Sequence, residues 1–81
     1  MSRYFFHLRR DDRIVSDVEG DEFSDSEAAR ASATNAVREL VAARIKTGQV
    51  FTDEYMDISD DNGNILLSIS FHDVVKTHLK K

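Results

Sequence analysis

The chain has 81 residues, with 11 Lys or Arg against 15 Asp or Glu, so its formal net charge is −4. Hydrophobic residues make up 41% and charged residues 32%, which is typical of a globular protein and leaves room for a single domain over residues 1–81. Cysteine is absent, which excludes disulfides, zinc–thiolate sites and thiol nucleophiles, and no apolar run is long enough for a membrane span. We therefore expect a cytoplasmic protein without a membrane partner.

The first predicted element is a strand over residues 3–9, where apolar and polar side chains alternate with period two. Tyr4, Phe6 and Leu8 form the face predicted to be buried, and Phe5 and His7 lie on the opposite face. A turn at residues 11–12, a second strand over residues 14–18 and a loop over residues 18–23 follow.

A long helix is predicted over residues 25–47. Ser24 and Glu27 fit a capping box at its start, and Gly48 is well placed to end it in the left-handed conformation. At 100° per residue an apolar stripe lies on one side of the helix, with Val37 beside it: Ala29, Ala33, Ala36, Leu40 and Ala43. Val41 and Ile45 form a second apolar patch further round the helix.

The second half of the chain predicts a hairpin around Asn62-Gly63, the preferred pair for a two-residue type I′ turn. Pairing outward from that turn sets Asp61 opposite Asn64, Ile58 opposite Leu67, and Met56 opposite Ile69. Residues 72–81 are predicted to form a short C-terminal helix. The fold class is therefore α+β, in the order β-β-α-β-β, with a four-stranded, largely antiparallel sheet and the long helix on one face.

One helix covers only one face of such a sheet, and the other face carries aromatic and apolar side chains. An exposed patch of this kind is what a dimer buries, whereas some RNA-binding folds stack bases on it. Aromatic side chains scattered over a surface are also normal and need no partner. The residues that we expect to contact a partner are those of the uncovered face and the second helix patch: Phe5, His7, Tyr55, Leu66, Val41 and Ile45.

Candidate chemistry is sparse in this sequence. His7 and Asp17 are plausible cross-strand neighbours, which would suit either a catalytic pair or a polar surface pair. The acids fall in two runs without the spacing of a calcium loop, and the three isolated glycines form no phosphate-binding motif. The first hairpin carries a small basic cluster of Arg3, Arg9, Arg10 and Arg13, but the net charge works against nucleic-acid binding. We therefore expect no catalytic residues, no metal site and no cofactor.

Several segments together resemble an uncharacterised family of short bacterial proteins, common in rhizobia and related alphaproteobacteria and classed as a domain of unknown function. The matching segments span Arg3 to about Val75: the start Arg3-Tyr4-Phe5-Phe6-His7, then Asp17-Val18-Glu19-Gly20, the alanine-rich helix, the Asp-x-x-Gly turn and the strand that ends in Phe71. The resemblance implies a bacterial cytoplasmic origin, and it carries no activity, ligand or catalytic residue to transfer. Asp11-Asp12 stands where that family often has glycine.

A looser similarity is to HicB-type antitoxins, in which a hairpin precedes an alanine- and glutamate-rich helix, although their Pro, Gly and Cys before the helix are missing here. From these observations we expect a noncatalytic interaction module that homodimerises or binds another protein. The alternatives are an antitoxin-like or regulatory binder of a basic protein or RNA, and a small hydrolase that uses His7 and Asp17.

Overall fold

The computed structural model describes residues 2–48 and 53–79. For residues 77–79 it describes the backbone and not the side chains. The predicted α+β class is confirmed: an antiparallel sheet carries one long helix and a short C-terminal helix. The elements are β1 (Ser2–Arg10), β2 (Arg13–Val15), β3 (Asp21–Phe23), α1 (Ser26–Thr47), β4 (Glu54–Asp60), β5 (Ile65–Ser70) and α2 (Phe71–Leu79). His78 belongs to the part whose side chains are not described.

The sheet has the order β2-β1-β4-β5, and β3 also pairs with β1. Both short strands therefore share the outer edge of β1: β2 pairs with Leu8–Arg10 and β3 pairs with Ser2–Tyr4. The loop predicted over residues 18–23 is thus partly a strand. The reason is Phe23, whose ring packs 5.7 Å from Phe6 and 6.1 Å from Tyr4 between centroids and holds β3 against β1.

Each end of the long helix has a residue that forms hydrogen bonds with its free backbone groups. Asp25, and not Ser24, caps it, because the Asp25 carboxylate accepts the Ala28 N–H at 2.9 Å. At the other end Gly48 adopts φ 74° and its N–H returns to the carbonyls of Arg44 and Ile45, as predicted.

The core lies between the sheet and the two helices. The buried helix residues are Ala29, Ala33, Val37 and Val41, whereas Ala43 of the predicted stripe is exposed. The buried face of α1 includes Val41 instead of Ala43, because α2 also packs against α1 and covers that side of the helix. The remaining buried hydrophobic residues come from strands and α2: Tyr4, Met56, Ile58, Phe71 and Val74.

The second hairpin has the predicted outer register but a different turn. Ile58 lies opposite Leu67 and Met56 opposite Ile69, as expected. Asp60, and not Asp61, bonds to Asn64 across the turn, and the Gly63 N–H donates to the Asp60 carbonyl with Gly63 at φ 85°. This is a type I turn followed by a glycine bulge, so the predicted type I′ turn is wrong.

Candidate functional site: the open face of the sheet

The open face is the side of the sheet that α1 and α2 leave uncovered. Its central part is built from alternate residues of β1 and β4, which lie opposite each other in the pairs Phe5–Ser59, His7–Asp57 and Arg9–Tyr55. Three of the residues predicted to contact a partner (Phe5, His7 and Tyr55) lie on this face, each of them half-buried. The structure therefore brings these three together, but among polar neighbours.

The carboxylate of Asp57 accepts hydrogen bonds from both neighbouring strands on this face. Arg9 donates two hydrogen bonds to it, Nε to Oδ2 at 2.8 Å and Nη2 to Oδ1 at 3.2 Å, and the Ser68 hydroxyl donates to Oδ1 at 2.6 Å. The Arg9 guanidinium also lies 4.3 Å from the centre of the Tyr55 ring. The bonds from Arg9 hold the pKa of Asp57 below its usual value, against the opposing effect of burial.

His7 bridges the face between the first loop and β4. Its Nδ1 accepts the backbone N–H of Asp17 at 3.1 Å, so the ring proton lies on Nε2, which donates to the Ser59 hydroxyl at 2.9 Å. A histidine that activates a serine needs the opposite tautomer, with an unprotonated nitrogen facing the hydroxyl. Ser59 is only 2% exposed, so a substrate has no access to it in this arrangement.

The Asp17 carboxylate does not pair with the His7 ring, so the His–Asp pair considered from the sequence is not formed. Instead the carboxylate accepts three backbone N–H groups: Phe6 and Gly20 at 3.1 Å, and Glu19 at 3.2 Å. Burial raises the pKa of Asp17, but these bonds outweigh it and the pKa lies below its usual value. The carboxylate thus accepts a backbone N–H of β1 in the gap between β2 and β3, where neither short strand pairs with β1.

The loop that contains Asp17 also covers part of the open face. Gly20 has φ 67°, and a Cβ built on it would lie 2.7 Å from the Tyr4 carbonyl oxygen and 2.8 Å from the Phe5 ring. Arg3 fastens the same loop, because its guanidinium donates to the Glu19 carbonyl at 2.7 Å and forms an ion pair with Glu22 at 3.2 Å. Phe5 is therefore less available to a partner than its position in the sequence indicates.

The other predicted partner residues lie elsewhere. Val41 is fully buried in the core and is not available to a partner, whereas Ile45 remains 44% exposed. Leu66 is the extra residue of a β-bulge: Ser59 lies opposite Ile65, and the next pair is Ile58 with Leu67. Leu66 consequently lines a groove beside the first turns of α1 and does not join Phe5, His7 and Tyr55.

Sequence reasoning did not single out Arg9, Asp57 or Ser59 as a connected group. The signal was available in the alternation of β4, because Asp57 and Ser59 occupy every second position of a central strand. Polar side chains at such positions need partners from the neighbouring strands.

Among residues 2–48 and 53–79, no three His, Asp or Glu side chains lie close enough together to hold a metal ion. Within the same ranges, no helix is long and apolar enough to cross a membrane.

Residues 3–72 match the model of a protein family that is described as a domain of unknown function, DUF6894. The chain belongs to this family. The match extends from the second residue of β1 to the first residues of α2, so α1 and all of the sheet except Ser2 are part of the shared domain. No curated protein and no solved structure matches the chain.

Proposed function

We propose that this DUF6894 protein is a small noncatalytic module that forms a homodimer through an edge of its sheet. The observation that carries the proposal is the position of its exposed apolar side chains. Among the described residues, the large hydrophobic side chains that are exposed lie mostly along the two sheet edges: Ile14, Val15 and Val18 at one edge, Ile65 and Leu66 at the other, and Ile45 on α1. Exposed apolar surface of this kind marks interaction sites.

The polar groups of the open face support a structural and not a catalytic role. His7 presents a proton to Ser59, which is opposite to what serine activation requires, and Ser59 is buried. Asp57 and Asp17 have their oxygens occupied by Arg9, Ser68 and backbone N–H groups. A hydrolase that uses His7 and Asp17 therefore has less support than an interaction module.

RNA binding also has less support, since the cations of the open face already have partners. Arg3 is paired with Glu22 and Arg9 with Asp57, so little positive charge remains on this face for a phosphate backbone. A bacterial cytoplasmic setting stays part of the proposal and rests on the resemblance of the sequence and its lack of cysteine.

Sedimentation velocity over a concentration range of roughly 1–100 µM tests the homodimer, because most specific associations have dissociation constants below that upper limit. The protomer mass is 9.2 kDa, so we expect a species of about 18 kDa, twice that value, to grow with concentration. A single 9.2 kDa species across the range would contradict the proposal.

A further inference from the structure

The structure points to β5 as the edge at which the two copies meet, an inference that rests on the homodimer proposed above. We propose that β5 pairs with β5 of a second copy about a twofold axis at Ser68. The result is one continuous antiparallel sheet across both subunits.

The outer edge of β1 is poorly suited to a second copy. Two short strands already occupy it, and the Asp17 carboxylate takes the Phe6 N–H in the gap between them. The two outer strands there, β2 and β3, have only three residues each, and β2 places Arg13 opposite Arg10, two cations on neighbouring strands. Short length and charge are features that keep an edge strand from pairing.

The outer edge of β5 has neither protection. The strand has six residues and pairs only with β4 among the described strands, so its other side has no strand partner in that part of the chain. Residues 62–72 contain no Asp, Glu, Lys or Arg, which makes them the longest uncharged run of a chain in which 32% of all residues are charged. Each copy carries a net charge of −4, so the electrostatic repulsion between two copies is smallest when they meet through an uncharged segment.

Symmetry and the bulge then restrict the pairing. Two copies of one edge strand related by a twofold axis normal to the sheet pair antiparallel, with one residue directly opposite its own copy. The bulge at Leu66 disturbs the strand near the turn, which leaves Leu67–Ser70 as the regular segment. An axis at Ser68 sets the half-buried Leu67 opposite Ile69 of the partner subunit, an apolar cross-strand pair on the helix side.

Two further features of the dimer follow from this axis. The helices of both subunits lie on the same face of the continuous sheet, because the axis is normal to the sheet and preserves its faces. The exposed Ile65 and Leu66 of each subunit lie beside the start of α2 of the other, which adds apolar contact to the strand pairing.

Disulfide trapping tests the inference cleanly, since the natural chain has no cysteine. Ser68→Cys places each thiol opposite its own copy, where directly opposed Cα atoms are about 5 Å apart, within the range a disulfide spans. We expect oxidation to trap a Ser68→Cys dimer at least about tenfold faster than Val15→Cys, the matched variant at the opposite edge. Ser68→Ala, which loses the same hydrogen bond to Asp57, should still sediment as a dimer.

The outcomes separate the two claims. If the natural chain sediments as a dimer but Val15→Cys is trapped as fast as Ser68→Cys, the β5 interface is wrong and the homodimer stands. If Ser68→Ala becomes monomeric while it remains folded by circular dichroism, the Ser68–Asp57 bond and not the strand edge governs association, which also overturns the inference. If the natural chain is monomeric throughout, both claims fail.

Discussion

Gly20 is the residue at which the first loop comes closest to β1. It combines a positive φ of 67° with a backbone position in contact with the Phe5 ring and the Tyr4 carbonyl. Only glycine meets both requirements, because any side chain there would have both conformational strain and a steric clash. The loop that carries the hydrogen bonds of Asp17 depends on this contact.

Gly20→Ala is therefore expected to lower the free energy of unfolding by at least about 2 kcal/mol. The matched control is Gly63→Ala, where φ is 85° but an added Cβ would meet nothing within 4 Å. That variant should cost about 1 kcal/mol, since it has strain without a clash. Urea unfolding followed by circular dichroism measures both, and equal losses would show that the contact with Phe5 contributes nothing.

Asp57 is the charged residue most deeply placed in the open face, with a side chain that is 9% exposed beside an Arg9 side chain that is 38% exposed. Its folded-state pKa is lowered, chiefly by the hydrogen bond from Arg9, so folding favours the ionised carboxylate. The stabilisation is fully present above the unfolded-state pKa of about 3.9 and is lost as the pH falls toward the lower folded-state pKa.

The corresponding prediction is that the free energy of unfolding declines as the pH falls below about 4, and that Asp57→Asn makes this decline shallower. At neutral pH the same substitution should cost about 1–2 kcal/mol, because it weakens a charged hydrogen-bonded pair while Arg9 remains in contact with water. Arg9→Gln should flatten the acid limb in a similar way. An unchanged acid limb in both variants would contradict the assigned pair.

At the scale of the elements, the first turn of α1 depends on Asp25. Its carboxylate accepts the Ala28 N–H, while Ser24 precedes the cap. Asp25→Ala should therefore cost about 1 kcal/mol of stability, and Ser24→Ala should cost only a few tenths. Thermal unfolding of the two variants distinguishes them, and a larger loss from Ser24→Ala would instead support the capping box that the sequence predicts.

In the second hairpin, sequence periodicity predicts the pairing of the strands but not the type of turn. The alternation of apolar residues predicts the pairs Ile58–Leu67 and Met56–Ile69, because burial of one face determines the register over that distance. It does not predict the turn, where the Asp60 carboxylate accepts the N–H groups of Asn62 and Asn64 and favours a longer loop. The bulge at Leu66 then restores the register, so two local departures cancel.

The site residues also divide into those whose position the sequence predicts and those whose position it does not predict. Phe5, His7 and Tyr55 lie on the predicted face, since a strand alternates strictly. Val41 is buried because α2 packs against α1, and a contact between elements distant in sequence has no local signal. Asp57 and Ser59 of β4 are buried beside partners from β1 and β5, and this depends on a strand order that periodicity does not predict.

For the whole molecule, the two edges of one sheet differ in kind. One edge is closed by β2, β3 and the Asp17 carboxylate, and the other presents six uncharged residues of β5. A stable interface of about 800 Å² per subunit would cover roughly one seventh of the 5693 Å² surface. Pairing at β5, with Ile65 and Leu66 beside the partner's second helix, is the arrangement that removes an exposed edge without burying charge.

Amide hydrogen exchange at low and high protein concentration is the sharpest test of pairing between two β5 strands. Strand pairing would protect the outward-facing N–H groups of β5, so exchange over Leu67–Ser70 should slow as the concentration rises. Exchange over β2 should stay unchanged, because that edge remains in contact with water in the dimer. Protection that appears at β2 and not at β5, or exchange that is independent of concentration at both edges, would contradict the account.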